Sequence, residues 1–310
     1  MRIITQSTFG GPSVLDIVEV DVPRPGYGQV LIELGAAGIN PVDLAVRSGA
    51  FALVGEPPFT LGWDIAGTVG DVGIGVSAFA PGDEVMGLVG FPSAGNSYAD
   101  HVLASPNELV HKPASLTTEQ AGALPLVGLT AWQALVGIAR VEAGQRVLIH
   151  RAAGGVGHVA VQIAKARGAH VVGTARSAKH DLLRELGADT LIDYTTSDFV
   201  AEAGPIDVVL DLLGGDDAER SAETLVRGGL LIGAIGNDLG FTAERAAERR
   251  VRFEVVSVRP SSADLLELVA LVENGQLRVL VDEAVPLADV AKAHELVAAG
   301  HATGKVVLVP

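Results

Sequence analysis

The sequence predicts an α/β protein that combines a β-rich lobe with a doubly wound parallel sheet. Short β-rich runs broken by glycine and proline fill the first third, and apolar runs alternate with amphipathic segments over residues 145–260. A length of 310 residues at 31.8 kDa exceeds the usual size of one hydrophobic core. We therefore expect two domains.

The β-rich lobe is predicted from four runs of β-branched and aliphatic residues. They cover residues 14–20, 29–34, 64–69 and 84–88, and a Pro-Arg-Pro-Gly cluster at 23–26 is typical of the turns between them. A helix should follow, entered at Ser115 with Glu119 in its first turn and reaching about residue 138. At the end of the chain, a helix over 263–272 and a strand over 304–309 are expected to return to this lobe.

The parallel sheet is predicted from apolar runs that lack polar alternation, which indicates strands covered on both faces. These runs are 147–149, 170–172, 190–192, 208–210 and 230–232.

A glycine-rich turn follows the first of these strands and opens a helix. It aligns with the dinucleotide fingerprint G-x-G-x-x-G/A as Ala152-x-Gly154-x-x-Gly157. Gly154 should let the backbone approach a pyrophosphate, Gly157 should let the helix pack on the sheet, and the helix N-terminus favours the negative charge. Gly155 and Val156 complete the predicted cofactor-binding turn. The alternative is a tight turn that binds nothing.

The end of the second parallel strand bears on the choice between NAD and NADP. An acid normally stands about 20 residues after the fingerprint and bonds the ribose 2′-hydroxyl, but this chain has Ala175 there. The neighbours Thr174, Arg176, Ser177 and Lys179 offer hydroxyls and cations that suit a 2′-phosphate. The sequence thus predicts NADPH. The competing interpretation of Arg176 and Lys179 is a solvated helix start.

Composition excludes several classes of function. The net charge of −15 disfavours nucleic acid and anionic membranes as partners, and no apolar stretch near 20 residues is free of glycine or charge. The absence of cysteine excludes disulfides, a thiolate nucleophile and a cysteine zinc site. With no apolar leader at the N-terminus, a cytoplasmic location is expected.

Six motifs in order resemble the medium-chain dehydrogenase/reductase superfamily. They are GINPVD at 38–43, LGWDIAG at 61–67, PGDEV at 81–85, LTA at 129–131, the turn at 152–157, and GKVVL at 304–308. The resemblance implies a GroES-like catalytic domain over residues 1–122 and 261–310 and a Rossmann domain over residues 123–260.

The resemblance also implies a chemistry. Alcohol dehydrogenases of this family hold zinc with a cysteine at the place of Asn40, a histidine at Trp63 and a cysteine near Leu126, so no metal is expected here. The chain is more similar to the zinc-lacking quinone oxidoreductases and alkenal or enone reductases. These transfer hydride from NADPH to a small conjugated carbonyl or quinone, whose delocalised charge needs no Lewis acid.

Site residues carried over from the family each have an ordinary structural alternative. Asn40 is expected to bond the acceptor oxygen or to open a turn, and Trp63 to wall the acceptor pocket or to fill the core. Thr130 resembles a threonine near the nicotinamide carboxamide, but it could also bond its own helical turn. Asp43 is predicted to be structural, as an acceptor for backbone N–H groups or a partner of Arg47.

Two further groups of residues are predicted to contact the cofactor. Tyr194 resembles a tyrosine that contacts the 2′-phosphate in this family. The turn after the fifth strand resembles a contact to the nicotinamide ribose, although it could also be an ordinary turn at the end of a strand. That turn is Gly233, Ala234, Ile235 and Gly236. Ala45 stands where quinone reductases often carry tyrosine, which weakens the case for quinone. The strand near residues 253–256 predicts a homodimer.

Two other functions remain open at this stage. One is an enoyl reductase for a biosynthetic pathway, which would prefer thioesters over free substrates. The other is a non-catalytic NADPH-binding or sensing protein, which would bind NADPH without oxidising it.

Overall fold

The computed structural model describes residues 1–234 and 239–310. The chain divides into two compact units. The first contains Met1–Leu129, Arg259–Glu273 and Val279–Pro310, and the second contains Thr130–Val258 and Asn274–Arg278.

The first unit is β-rich. Its strands are β1 (Arg2–Gln6), β2 (Asp16–Glu19), β3 (Val30–Gly38), β4 (Phe59–Thr60), β5 (Asp64–Val72), β6 (Glu84–Leu88), β7 (His101–Ala104), β8 (Leu109–His111), β15 (Val281–Pro286) and β16 (Lys305–Val309). They form a small sheet in the order β2-β1-β4 and a larger one in the order β15-β16-β3-β5-β6-β8, and β7 pairs with β3. All of these pairings are antiparallel except that of β15 with β16.

A core of buried aliphatic side chains holds this unit together. Val30, Ile32 and Leu34 alternate along β3 and pack on Ile65 and Val69 of β5. The C-terminal strand β16 pairs with the end of β3, with Val307 opposite Gly38, so the chain returns to the β-rich unit.

The predicted helix after residue 115 differs from the structure in its start and its continuity. Thr117, rather than Ser115, is the N-cap, because its side chain accepts from the N–H of Gln120. The helix is interrupted before Pro125, which has no N–H to donate, and ends in a π-helix over Gln133–Ile138. The helices of this part are α1 (Pro41–Ser48), α2 (Thr118–Ala123), α3 (Pro125–Trp132), α9 (Ser262–Glu273) and α10 (Val290–Ala299).

The second unit confirms the predicted parallel sheet. Its strands are β9 (Arg146–Ile149), β10 (His170–Thr174), β11 (Thr190–Ile192), β12 (Ile206–Asp211), β13 (Leu225–Gly233) and β14 (Arg252–Val255). They are ordered β11-β10-β9-β12-β13-β14, with every pair parallel. The helices are α4 (Gly155–Ala166), α5 (His180–Glu185), α6 (Phe199–Ala203), α7 (Asp216–Thr224) and α8 (Ala243–Arg249).

The strand order reverses between β9 and β12, which is the point where open α/β sheets bind ligands at their carboxyl ends. Buried strand residues such as Leu148, Val209 and Leu231 form the core with helix residues including Ala218 and Ala246. None of the helices in the described ranges is long and apolar enough to cross a membrane.

Candidate active site

The glycine-rich turn lies between β9 and α4, at the carboxyl edge of the parallel sheet. Gly154 is the N-cap of α4 in an extended conformation. A side chain at Gly157 would place its Cβ 2.2 Å from the carbonyl oxygen of Arg151, so only glycine allows this approach of helix and strand. The first N–H groups of α4, from Gly155 to Gly157, have no intrahelical partner and face the helix entrance.

The Thr174 side chain, at the end of β10, takes part in a hydrogen-bond network within the parallel-sheet unit. Ser221 Oγ donates to the carbonyl of Asp217 over 2.7 Å, so it must accept from Nε2 of His150 at 2.8 Å. His150 Nδ1 is then the acceptor for the Thr174 hydroxyl at 3.0 Å. The burial of His150 lowers its pKa to about 4, consistent with a neutral ring.

Arg176 and Tyr194 are brought together by the next two loops. Arg176 Nε donates to the Tyr194 hydroxyl over 3.2 Å, and both side chains are exposed. Ser177 and Lys179 form a 3-10 turn directly after Arg176. Four residues that the sequence predicted at the cofactor therefore share one edge of the sheet.

Asp193 is a residue of this edge that was not predicted from the sequence. Its carboxylate accepts from the Ser177 N–H over 2.7 Å, and three donors on Ser177 and Thr195 hold its pKa well below the usual range. Its position could have indicated a role in the site, because Asp193 directly follows β11 and ligands bind at the carboxyl ends of the strands in this fold.

The turn after β13 is described only in part. Gly233 ends the strand, and the N–H of Ala234 donates to the carbonyl of Asp211 over 3.1 Å. Ile235 and Gly236, also predicted at the cofactor, lie outside the described residues.

In the β-rich unit, Asn40 is part of a buried ionic network. Lys305 Nζ donates to the Ile39 carbonyl at 2.7 Å and to Asn40 Oδ1, and lies 3.3 Å from Asp64 Oδ2. Asn40 Nδ2 donates to the same Asp64 oxygen over 2.8 Å. Both ends of the Asn40 amide are thus bonded within the protein, and its side chain is fully buried.

The other oxygen of Asp64 fixes the start of α3. Asp64 Oδ1 accepts from the N–H of Leu126 over 2.6 Å. Burial raises the pKa of Asp64 and lowers the pKa of Lys305, while each charge partly opposes the shift of the other. The network therefore joins β5, β16, α1 and α3.

Asp43 is structural, as expected, but its partner is not Arg47. Its Oδ2 accepts from the Asn40 N–H over 2.7 Å, and burial raises its pKa to about 7. Arg47 donates instead to the Gly10 carbonyl and, over 2.9 Å, to Nδ1 of His294. Burial beside Arg47 lowers the pKa of His294 to about 3, because a second positive charge is disfavoured there.

Trp63 and Thr130 are both buried. Trp63 is 1% exposed, donates from Nε1 to the Ser93 carbonyl over 2.6 Å, and meets the ring of Phe91 edge-on. Thr130 lies in α3 and is 6% exposed.

Among residues 1–234 and 239–310, no group of three or more His, Cys, Asp or Glu side chains is placed to hold a metal.

The fold and this edge define a class of protein. The family model described as alcohol dehydrogenase GroES-like domain matches residues 26–114, and the one described as zinc-binding dehydrogenase matches residues 186–308. The chain belongs to the medium-chain dehydrogenase/reductase superfamily, among its quinone oxidoreductase-like members. It is an oxidoreductase of that family, and the predicted fold class and family are confirmed.

Individual relatives cover nearly the whole chain. The quinone oxidoreductase of Rattus norvegicus is 33% identical over 320 residues, covering 98% of this chain and 95% of the relative. The structure of the quinone oxidoreductase from Coxiella burnetii is 36% identical with a TM-score of 0.95, covering 100% of this chain and 99% of that one.

Two further structures differ in the cofactor that their descriptions give. An NAD-dependent alcohol dehydrogenase is 32% identical with a TM-score of 0.92, and the Escherichia coli quinone oxidoreductase complexed with NADPH is 30% identical with a TM-score of 0.91. Each pair is covered over 100% of both chains.

Proposed function

We propose that this protein is an NADPH-dependent oxidoreductase that reduces quinones or α,β-unsaturated carbonyl compounds without a metal ion. The observation that carries the proposal is the pairing of Arg176 with Tyr194 directly after β10, where Ala175 stands in place of the usual acid. The similar Escherichia coli enzyme complexed with NADPH supports it.

The residues of the parallel-sheet unit fit this cofactor. The absence of a Cβ at Gly154 lets the backbone approach a pyrophosphate, while Gly157 allows α4 to pack closely on the strand. The N–H groups of Gly155, Val156 and Gly157 are donors for the phosphates. A 2′-phosphate would be held by the exposed guanidinium of Arg176 with its neighbours. The remaining proposed contacts are Thr130, Ala152, Thr174, Ser177, Lys179, Tyr194, Gly233 and Ala234.

The reaction follows from the acceptor's own electronics. When bound, NADPH supplies a hydride from its nicotinamide ring. In a conjugated acceptor the resulting charge spreads to an oxygen, which a hydrogen-bond donor can stabilise without a Lewis acid. Where the zinc-holding alcohol dehydrogenases of the family carry a cysteine ligand, Asn40 instead accepts a hydrogen bond from the ammonium of Lys305, which also lies 3.3 Å from Asp64. We assign Trp63 to shaping the acceptor side and Asn40 to supporting that side indirectly, because both ends of its amide are bonded within the protein. The proton comes from water or a polar side chain.

Direct binding and turnover test the proposal. Titration of metal-analysed protein with NADPH and NADH should show tighter binding of NADPH. NADPH oxidation should then occur with quinones, alkenals or enones in the presence of a chelator. Equal or tighter binding of NADH, or turnover that depends on added zinc, would contradict it.

The same assays separate the other functions. A preference for acyl thioesters over free enones would indicate an enoyl reductase, and tight NADPH binding with no turnover would indicate a sensing protein. The predicted homodimer stays a prediction. It would form by pairing of two copies along β14, which lies at the edge of the described sheet and whose Val255 is 45% exposed.

A further inference from the structure

The loops after β10 and β11 are joined by one carboxylate. Asp193 Oδ2 accepts from the Ser177 N–H over 2.7 Å, and Oδ1 accepts from the N–H and hydroxyl of Thr195 over 2.9 and 2.6 Å. One loop carries Arg176 and the other carries Tyr194. Asp193 is therefore a tie between these two loops, in addition to the direct bond of Arg176 to Tyr194.

We propose that Asp193 is a positioning residue that determines cofactor specificity, holding Arg176 and Tyr194 as a site for a phosphate monoester on the cofactor's ribose. This inference rests on the proposed NADPH-dependent function, and it assigns the preference for NADPH over NADH to Asp193.

Arg176 has the geometry that such a site needs. Its Nε is held by the Tyr194 hydroxyl, and no hydrogen bond or ion pair to its two terminal nitrogens is found in the described part of the chain. Tyr194 is 51% exposed. A guanidinium fixed at Nε presents its remaining N–H groups as a planar fork, which matches two oxygens of a phosphate.

The negative charge of Asp193 does not cancel this site. Three donors engage its two oxygens, and they hold its pKa well below the usual range, so the charge is spread over those bonds. The guanidinium of Arg176, which directly precedes Ser177, adds a positive charge at the same place. The acceptor capacity that would otherwise bond a ribose 2′-hydroxyl is also largely used, which removes an advantage for NADH.

Asparagine cannot replace this carboxylate. Both oxygens accept from backbone N–H groups, so the NH₂ of an asparagine would face either Ser177 N–H or Thr195 N–H, donor against donor. Asp193→Asn should therefore release one loop, and Asp193→Ala both. For both variants we expect the Kd for NADPH to rise about tenfold and that for NADH to change less than about twofold.

Asp189 provides a matched control at the opposite end of the same strand. It precedes β11, and its Oδ2 accepts from the N–H of Val171 in β10 over 2.8 Å. Asp189→Asn thus disturbs a similar bond far from the cofactor edge. Its NADPH-to-NADH affinity ratio should equal that of the wild type.

The experiment measures Kd by calorimetry for NADPH, NADH, 2′,5′-ADP and 5′-ADP, with circular dichroism to check folding. Loss of preference for the 2′-phosphorylated ligands only in the Asp193 variants supports the inference. An unchanged ratio, or tighter NADPH binding from relieved repulsion, overturns it. If both Asp193 variants fail to fold, Thr195→Ala decides, with an expected loss of about threefold. Wild-type protein without NADPH preference would contradict the proposed function itself.

Discussion

Lys305 carries a positive charge into the interior of the β-rich unit. Its ammonium is bonded to the Ile39 carbonyl and to Asn40, and its charge faces Asp64. Taking charges out of water is costly, and removing one partner of a buried pair leaves the other without compensation. The network is therefore sensitive to single substitutions at any member.

Lys305→Met should lower the free energy of unfolding by about 3–5 kcal/mol, because Asp64 would remain buried without its cation. The double variant Lys305→Met with Asp64→Asn should recover part of this loss. Urea unfolding checks both. Lys292→Met is the control, since Lys292 pairs with Glu283 at the surface and should contribute little. Equal losses for Lys305→Met and Lys292→Met would contradict the role given to the network.

The sequence could not show these residue-level contacts. Lys305 is separated by 241 positions from Asp64, and no local pattern links them. Asp193 follows a predicted strand, but its partner Ser177 lies 16 positions earlier. By contrast, the structural role of Asp43 was predictable, because a carboxylate three residues after Asn40 can reach local backbone N–H groups, and it accepts from the Asn40 N–H.

At the scale of elements, the junction of β9 and α4 constrains the cofactor edge, because Gly157 lies directly against the Arg151 carbonyl. Its form was predictable from sequence because glycine spacing, strand and helix are all local. The end of the helix predicted to reach residue 138 was not predictable from the sequence. A π-helix replaces its last turns over Gln133–Ile138, and nothing in the composition of this segment indicates that.

Gly157→Ala should displace α4 from β9, because the new Cβ would lie 2.2 Å from the Arg151 carbonyl oxygen. We expect NADPH affinity to fall at least about tenfold, since the donors at the helix entrance move. Calorimetry with NADPH measures this. Gly137→Ala, at a glycine with open space around its Cβ position, is the control and should bind normally. Unchanged affinity in Gly157→Ala would show that the turn does not hold the pyrophosphate.

For the whole molecule, stability should depend on pH through buried neutral histidines. Burial lowers the pKa of His150 from 6.5 to about 4 and that of His294 to about 3. The folded state then binds fewer protons than the unfolded chain below pH 6.5, so stability falls as pH drops. Asp43, with a pKa raised to about 7, acts in the opposite direction between pH 7 and 4.

The His150 contribution can be isolated by comparison. Wild-type protein should lose about 3 kcal/mol of unfolding free energy through this group between pH 6.5 and 4. His150→Gln should lack that loss, while the exposed His301→Gln should keep it. Urea unfolding at each pH gives the values. Parallel wild-type and His150→Gln curves would contradict a neutral buried ring.

The division into a β-rich unit and a parallel-sheet unit was predictable because both depend on hydrophobic periodicity. The boundaries between the GroES-like and Rossmann domains, expected at residues 122 and 261, stay predictions.

The resident ammonium of Lys305 also limits how this scaffold can be redesigned. Installing cysteine at position 40, histidine at position 63 and cysteine near position 126 would supply thiolates and an imidazole, but a zinc ion held at position 40 would lie beside the ammonium of Lys305. Repulsion between the two cations would oppose metal uptake until Lys305 was exchanged for a neutral residue. Metal chemistry on this chain therefore requires a fourth, compensating substitution in the last strand.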